Sequence, residues 1–230
     1  MERLLDVYQG YAADGRVASR QSLSNPGNRL IIQDRWRTAR QLLAGAGLLP
    51  LGERRVLEVG TGGGAELAQL ASLGGDPSRC CGIDLIPERI AAARARFPLI
   101  DFRVGDAQRL EFEDGRFDLV LVSTVLSSIL DPAMRVGVAQ EAVRVLGPGG
   151  AVLWYDMRYP SPGNQNVRPI GAGELRRLFP GLRATLRPVT LLPPLARRLG
   201  GLAPRLYPAL AAAPFLRSHL AALLVKPGAA

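Results

Sequence analysis

Histidine occurs once in these 230 residues, lysine once and cysteine twice. With so few of these ligands, a histidine- or cysteine-rich metal centre is excluded, and no metal is expected. Cys80 and Cys81 are adjacent. Sequence neighbours rarely bridge each other, so they read as reduced core residues and not as a disulfide framework. No apolar run approaches the roughly 20 residues of a membrane span. The greasiest stretch, residues 199–225, is broken by Pro204, Pro208 and Pro214 and carries Arg205, Arg217 and His219. Glu2, Arg3 and Asp6 interrupt any leader-like start, so a cytoplasmic location is expected, with peripheral membrane contact at most.

The most informative scarcity is that of acids late in the chain. Up to Met157 there are 18 basic and 19 acidic residues, and after it 11 basic residues against Glu174 alone. The whole net charge of +9 therefore sits in the last third. Arginine bias by itself can reflect a GC-rich genome, but that does not remove acids. An anionic partner for this region follows.

The body of the chain alternates strand and helix signals. Short apolar runs at 55–59, 80–85, 101–104, 117–124 and 151–157 read as strands. Helical patterns lie at 62–73, 87–97 and 132–146, and Pro87 falls in a first turn, where a missing N–H costs nothing. This alternation implies right-handed crossovers and a mostly parallel α/β sheet covered on both faces. Ahead of it, residues 29–46 form a helical pattern. After it come a short helix at 173–179 and two strand candidates at 182–192 and 220–225, separated by an apolar-basic insert at about 193–217. Residues 1–50 are expected to form an N-terminal cap, and 51–230 the main domain.

The chemistry concentrates at Glu58-Val59-Gly60-Thr61-Gly62-Gly63-Gly64. Gly60, Gly62 and Gly64 let the backbone turn sharply and approach a ligand, and the following helix start offers free N–H groups. The run also satisfies the dinucleotide pattern G-x-G-x-x-G/A. Asp84 ends the second strand 20 residues beyond Gly64, where an acid accepts from ribose hydroxyls. Capping the helix at Pro87 is its structural alternative. Glu58 suits a cationic group and would be poorly placed beside a pyrophosphate. Asp106, in Gly105-Asp106-Ala107, brings a further acid to the same crevice. Several carboxylates argue for a cationic ligand and against a nicotinamide cofactor.

Those segments, with Gly82-Ile83-Asp84, Phe117-Asp118-Leu119-Val120 and Leu146-Gly147-Pro148-Gly149-Gly150, resemble the successive motifs of class I S-adenosylmethionine (SAM)-dependent methyltransferases of the small-molecule branch. The resemblance spans residues 55–157. It implies a Rossmann-like, doubly wound, mostly parallel seven-stranded sheet ending in an antiparallel hairpin, with SAM as cofactor. It assigns Gly60, Gly62 and Gly64 to the methionine moiety, Glu58 to its amino group, Asp84 to the ribose, and Asp106 and Ala107 to the adenine, with Leu85 also among the cofactor-binding residues. Ser123 and Thr124 would face the methyl donor. Where nucleic-acid amino-methylating relatives carry an Asn/Asp-Pro-Pro-aromatic motif, this chain has Ser123-Thr124-Val125-Leu126.

An oxygen acceptor must lose a proton. Asp156 and Tyr155, at the end of the fifth strand, and His219, the lone histidine, are the candidate bases. Each also has a structural reading, Asp156 as a partner of Arg158. Tyr8 and Tyr11 are candidates to close over the cofactor. The expected acceptor is a small molecule or a glycan- or lipid-linked group, with O-methylation favoured and 193–217 touching an anionic membrane. An RNA-binding or RNA-modifying protein is the alternative. It is disfavoured because few aromatics interleave with the late arginines.

Overall fold

The computed structural model describes residues 22–161 and 163–228. Tyr8 and Tyr11 lie outside them. The first helix, α1 (Pro26–Gly45), starts where Asn25 accepts the N–H of Gly27 at 2.8 Å and proline takes the first turn. Then follow β1 (Val56–Val59), α2 (Ala65–Ala71), β2 (Cys80–Asp84), α3 (Pro87–Arg96), β3 (Asp101–Val104) and β4 (Phe117–Ser123). The chain continues through α4 (Pro132–Arg144), β5 (Leu146–Met157), α5 (Ala172–Leu178) and β6 (Arg183–Leu191). It ends with α6 (Pro193–Arg198), α7 (Ala203–Ala211) and β7 (Arg217–Val225).

One seven-stranded sheet runs in the order β3-β2-β1-β4-β5-β7-β6. β1 to β5 pair in parallel, and β7 pairs antiparallel with both β5 and β6. This is the Rossmann-like sheet with its late antiparallel hairpin. β1 and β4 are buried on both faces, which explains their unbroken hydrophobicity. One face packs Val138, Ala139 and Ala142 of α4 and Leu175 and Leu178 of α5 around Trp154. The other packs α1, α2 and α3 through Leu43, Leu67, Leu70 and Ile90. Cys80 and Cys81 are free and buried, and burial pushes their thiols up to about 11 and about 12.

The first helix starts three residues before the pattern and the helix after the glycine loop three residues after it, and two strand boundaries depart as well. The run 146–150 reads as a turn, yet β5 begins at Leu146. The register of β5 against β4 shifts between Phe117 and Leu119, and a β-bulge of this kind absorbs the glycines. A Cβ at Gly150 would stand 2.8 Å from Leu146 Cδ1 and 2.9 Å from the Asp118 carbonyl oxygen, so only glycine passes there. The second departure is β7, which starts three residues earlier than the hydrophobic run, at Arg217.

The N-terminal helix and the late insert form a joint layer. α1 packs against α6, α7, β6 and β7. Leu30 and Ile31 join Leu191, Ala196, Tyr207 and Ala211 in a separate apolar cluster. A polar knot fastens it: buried Asp34 accepts the N–H of Thr190 at 3.1 Å, the Tyr207 hydroxyl at 3.3 Å and the Arg217 guanidinium at 3.3 Å. Thr190 holds φ +64, unusual for a β-branched residue, and is fully buried.

Candidate active site

The strand order reverses between β1 and β4, and ligands of open α/β sheets sit outside the carboxyl ends of the strands at that point. A crevice of about 180 Å³ opens there. Gly60, Asp84, Leu85, Asp106, Ala107 and Ser123 border it. All six belong to the set expected from sequence.

The loop after β1 builds the floor. Gly60, Gly62 and Gly64 have φ +72, +52 and +77. At Gly60 a Cβ would meet Val125 Cγ2 at 2.5 Å, and at Gly64 it would meet Phe102 Cζ at 2.6 Å. Gly62 instead has nothing within 4 Å of the position a Cβ would take. Gly60 and Gly64 are therefore required by the protein's own packing, whereas Gly62 needs only its left-handed backbone. Neither Gly62 nor Gly64 borders the crevice; they shape the loop beneath it.

Asp84 ties this loop to the next strand. Its Oδ2 accepts the N–H of Gly62 at 2.9 Å and its Oδ1 that of Ile86 at 3.0 Å. Ile86, not Asp84, caps the helix at Pro87, and Asp84 instead ties the turn before it while bordering the crevice. Asp106 uses Oδ1 to accept the Gln108 N–H at 2.8 Å. Ile83, Ile86, Val125, Ile129, Met134 and Val138 supply apolar walls. Periodicity marked several of these as core, but nothing in the sequence showed that they bound a cavity.

Glu58 is buried below the loop and does not border the crevice. Its Oε2 accepts the Thr61 hydroxyl at 2.6 Å. Burial pushes its carboxyl well above the ordinary range; the Thr61 bond opposes this and Glu66 adds to it. Thr124 holds φ +54 at the rim of the crevice, donating its N–H to the Tyr155 carbonyl at 2.7 Å. Strained positions of this kind cluster at functional sites.

The candidate bases lie elsewhere. Asp156 is fully buried, accepting the Ser127 N–H at 2.9 Å on Oδ2 and the Met157 N–H at 2.9 Å on Oδ1. Burial raises its carboxyl to about 6 against the opposing bonds from Ser127. These hydrogen bonds go to backbone amides, and the expected partnership with Arg158 is not among them. His219 stacks on Tyr155, centroids 4.9 Å apart and planes 5° from parallel, and shares a 2.8 Å hydrogen bond with Ser218 through Nδ1. Burial, then Arg35, lowers it to about 4, so it is neutral at pH 7. The Tyr155 and Thr190 hydroxyls share a hydrogen bond at 2.9 Å. Neither Asp156 nor His219 borders the crevice.

Residues 56–150 match the family model described as a methyltransferase domain. That segment is a methyltransferase domain. The demethylmenaquinone methyltransferase of Beutenbergia cavernae is 37% identical over 63% of this chain and 56% of its own length. The fatty-acid O-methyltransferase of Mycolicibacterium smegmatis is 38% identical over 65% of this chain and 51% of its own length. The chain thus spans about half the length of these curated relatives. Among solved structures, a SAM-dependent methyltransferase from Mesorhizobium loti superimposes with TM-score 0.63 at 17% identity, over 84% of this chain and 97% of that one. At that identity the likeness concerns the fold.

SAM is the cofactor of such a methyltransferase domain, and the residues present fit it. Asp84 and Asp106 offer acceptors to ribose hydroxyls and an adenine amine, and the apolar walls suit a purine ring. Glu58 is a buried acid beside the glycine loop, its carboxyl raised by a desolvation that an entering ammonium group would offset. Among the described residues, no group of three or more His, Cys, Asp or Glu side chains could hold a metal.

Proposed function

We propose that this chain transfers the SAM methyl group to an oxygen of a small, lipid-like acceptor. The observation that carries the reading is the crevice itself, where two carboxylates and an apolar slot converge at the sheet's reversal point. SAM supplies an electrophilic methyl on a sulfonium. The chain's part is to bind, to align and to keep water out, which is where much of the rate of such a displacement arises. Glu58 and the glycine loop would hold the methionine end, Asp84 with Leu85 the ribose, and Asp106 with Ala107 the adenine. Ser123 and Thr124 would bound the space beside the methyl group.

The matched relatives that act on demethylmenaquinone and on fatty acids support an apolar acceptor. The insert supports the same class. Leu202, Leu206 and Phe215 are exposed at 57%, 41% and 70%, and Arg198 and Arg205 are exposed among them. We take this face of α6–α7, within residues 193–217, to rest on an anionic membrane surface. In this reading residues 1–50 are the cap and 51–230 the methyltransferase domain, with the insert at about 193–217 inside it. Among the described residues, no helix is long and apolar enough to cross a membrane. No observation favours RNA over a small molecule as acceptor.

Calorimetry with SAM and NAD, followed by transfer of a tritiated methyl group, tests the reading. Micromolar SAM affinity with no NAD binding is expected; undetectable SAM binding overturns it. Sedimentation with phosphatidylglycerol vesicles at low salt tests the membrane contact. Equal pelleting with phosphatidylcholine vesicles would remove the electrostatic part.

A further inference from the structure

The last third of the chain keeps one acid, Glu174, and the fold pairs it with a sealed arginine. The Arg135 side chain, on α4, is 1% exposed, and its Nη1 donates to Glu174 Oε1. Glu174 stands in the first turn of α5, where a helix N-terminus favours an acid. Its other oxygen lies 3.7 Å from the Arg168 guanidinium. A buried guanidinium without a counter-charge is strongly unfavourable, so Glu174 is what allows Arg135 to be enclosed.

The rest of the guanidinium is directed at one turn. Nε donates to the Leu126 carbonyl at 3.1 Å and the Ile129 carbonyl at 3.2 Å, and Nη2 to the Ile129 carbonyl at 2.6 Å. The same turn gives the Ser127 N–H to Asp156 at 2.9 Å, and the Ser127 carbonyl accepts the Arg168 N–H at 2.8 Å. These backbone groups are therefore satisfied from inside the protein. The segment also meets the cofactor crevice, through Thr124, Val125, Ser128 and Ile129, and α4 adds Met134 and Val138. Arg135 itself does not border the crevice. In the sheet order this wall, following β4, lies across β1 from Asp84 on β2 and Asp106 after β3. It begins at Thr124 with φ +54, and a strained residue persists only where its surroundings over-determine it. The Tyr155 carbonyl fixes one end of the wall and Arg135 the other.

We propose that Arg135, neutralised by Glu174, is a positioning residue of the cofactor crevice: it sets the wall 124–129 at the spacing from Asp84 and Asp106 that SAM requires. The inference rests on the methyltransferase reading and adds a residue that acts on the cofactor only through the wall. A planar fork suits this task, because one rigid group reaches both carbonyls and the acid at once. The same helix carries its own control. Arg144 binds Glu141, Asp114 and the Leu110 and Phe112 carbonyls. That network is as dense, yet the segment it holds, 110–114, does not border the crevice.

The test is calorimetry with SAM on the wild type, Arg135→Gln, Arg135→Lys and Arg144→Gln, each at a temperature where circular dichroism shows it folded. Arg135→Gln should weaken SAM binding by about tenfold, the factor of one charge-assisted hydrogen bond. Arg135→Lys keeps the charge beside Glu174 without the fork. It carries the test if the glutamine variant does not fold, and should still weaken SAM binding by about threefold or more. Arg144→Gln should stay below that threefold mark. Hydrogen exchange supplies a readout that a merely structural role would not move. In Arg135→Lys the amides of Ser127, Ser128 and Ile129 should exchange at least about tenfold faster, and those of Leu121 and Val122 in β4 should change several-fold less. SAM affinity within about threefold of wild type in Arg135→Lys, equal losses in Arg135→Lys and Arg144→Gln, or equal acceleration of exchange in turn and strand would each overturn this inference alone. Failure of the wild type to bind SAM overturns the methyltransferase reading first.

Discussion

Asp84 and Asp156 both stand at the carboxyl ends of parallel strands in one sheet, yet they face different worlds. Each carboxylate accepts two backbone N–H groups at 2.9–3.0 Å. Asp84 does so at the mouth of the crevice and keeps an open side. Asp156 does so under the Leu126–Ser128 turn, fully buried, with its carboxyl raised to about 6. What separates them is what the chain lays on top. Over β2 the chain leaves a crevice, whereas over β5 it folds a turn down and seals the acid. Standing at the active edge of a sheet is therefore not enough to make a residue functional.

Four measurements can break or sharpen that contrast. Asp34 extends the sealed class to α1, where removal would take the acceptor from the Tyr207 hydroxyl and the counter-charge from Arg217. Asp34→Ala should cost about 3–5 kcal/mol of stability in urea unfolding, the loss typical of breaking a buried charge pair. A loss under 1 kcal/mol would show that the cap is not fastened there. Asp84→Ala should weaken SAM binding about 100-fold, roughly 2.7 kcal/mol, through lost ligand contacts and a loosened Gly62. If SAM affinity is unchanged by calorimetry, Asp84 belongs with the sealed acids.

Asp156→Asn tests the other side through pH. The folded carboxyl titrates at about 6 and its ordinary value is 3.8. Between those values the native state holds a proton that the unfolded chain has lost, so wild-type stability falls as pH rises and levels off above 6. The substitution removes this slope. The stability of Asp156→Asn relative to wild type should therefore improve by about 2 kcal/mol from pH 4 to pH 7.5. A flat difference would mean that the carboxyl is not desolvated. The smallest effect is expected at the surface. Leu206→Ser should change stability by less than about 0.5 kcal/mol while reducing pelleting with anionic vesicles.

Much of the fold was legible because its signals are local. Doubly buried strands read as unbroken runs such as Leu119-Val120-Leu121-Val122, and Pro87 and Pro132 mark helix starts. Part of the crevice lining was legible for a similar reason: Gly60 and Asp84 sit at a fixed distance along one chain segment. The packing of α1 was not. Arg35 lies mid-helix among other arginines, and only the packing of α1 against α2 and β5 gives it Glu66 and Tyr155 as neighbours. Position in sequence suggested Asp156 and His219 as bases, because a strand end is readable and its lid is not. Asp34 gave no signal either; its partners lie more than 150 residues away.

Asp34 and Arg35 are consecutive, and each is committed to a different body: one to the insert, the other to the helix that follows the glycine loop. Neighbours on a helix project about 100° apart. α1 therefore works as an axle whose angular setting is fixed at two points. Deleting one residue upstream of Asp34 would turn the whole preceding segment against the pair, and no side-chain substitution could restore both attachments. Length changes in the first ten residues of this helix should be far less tolerated than changes of residue type.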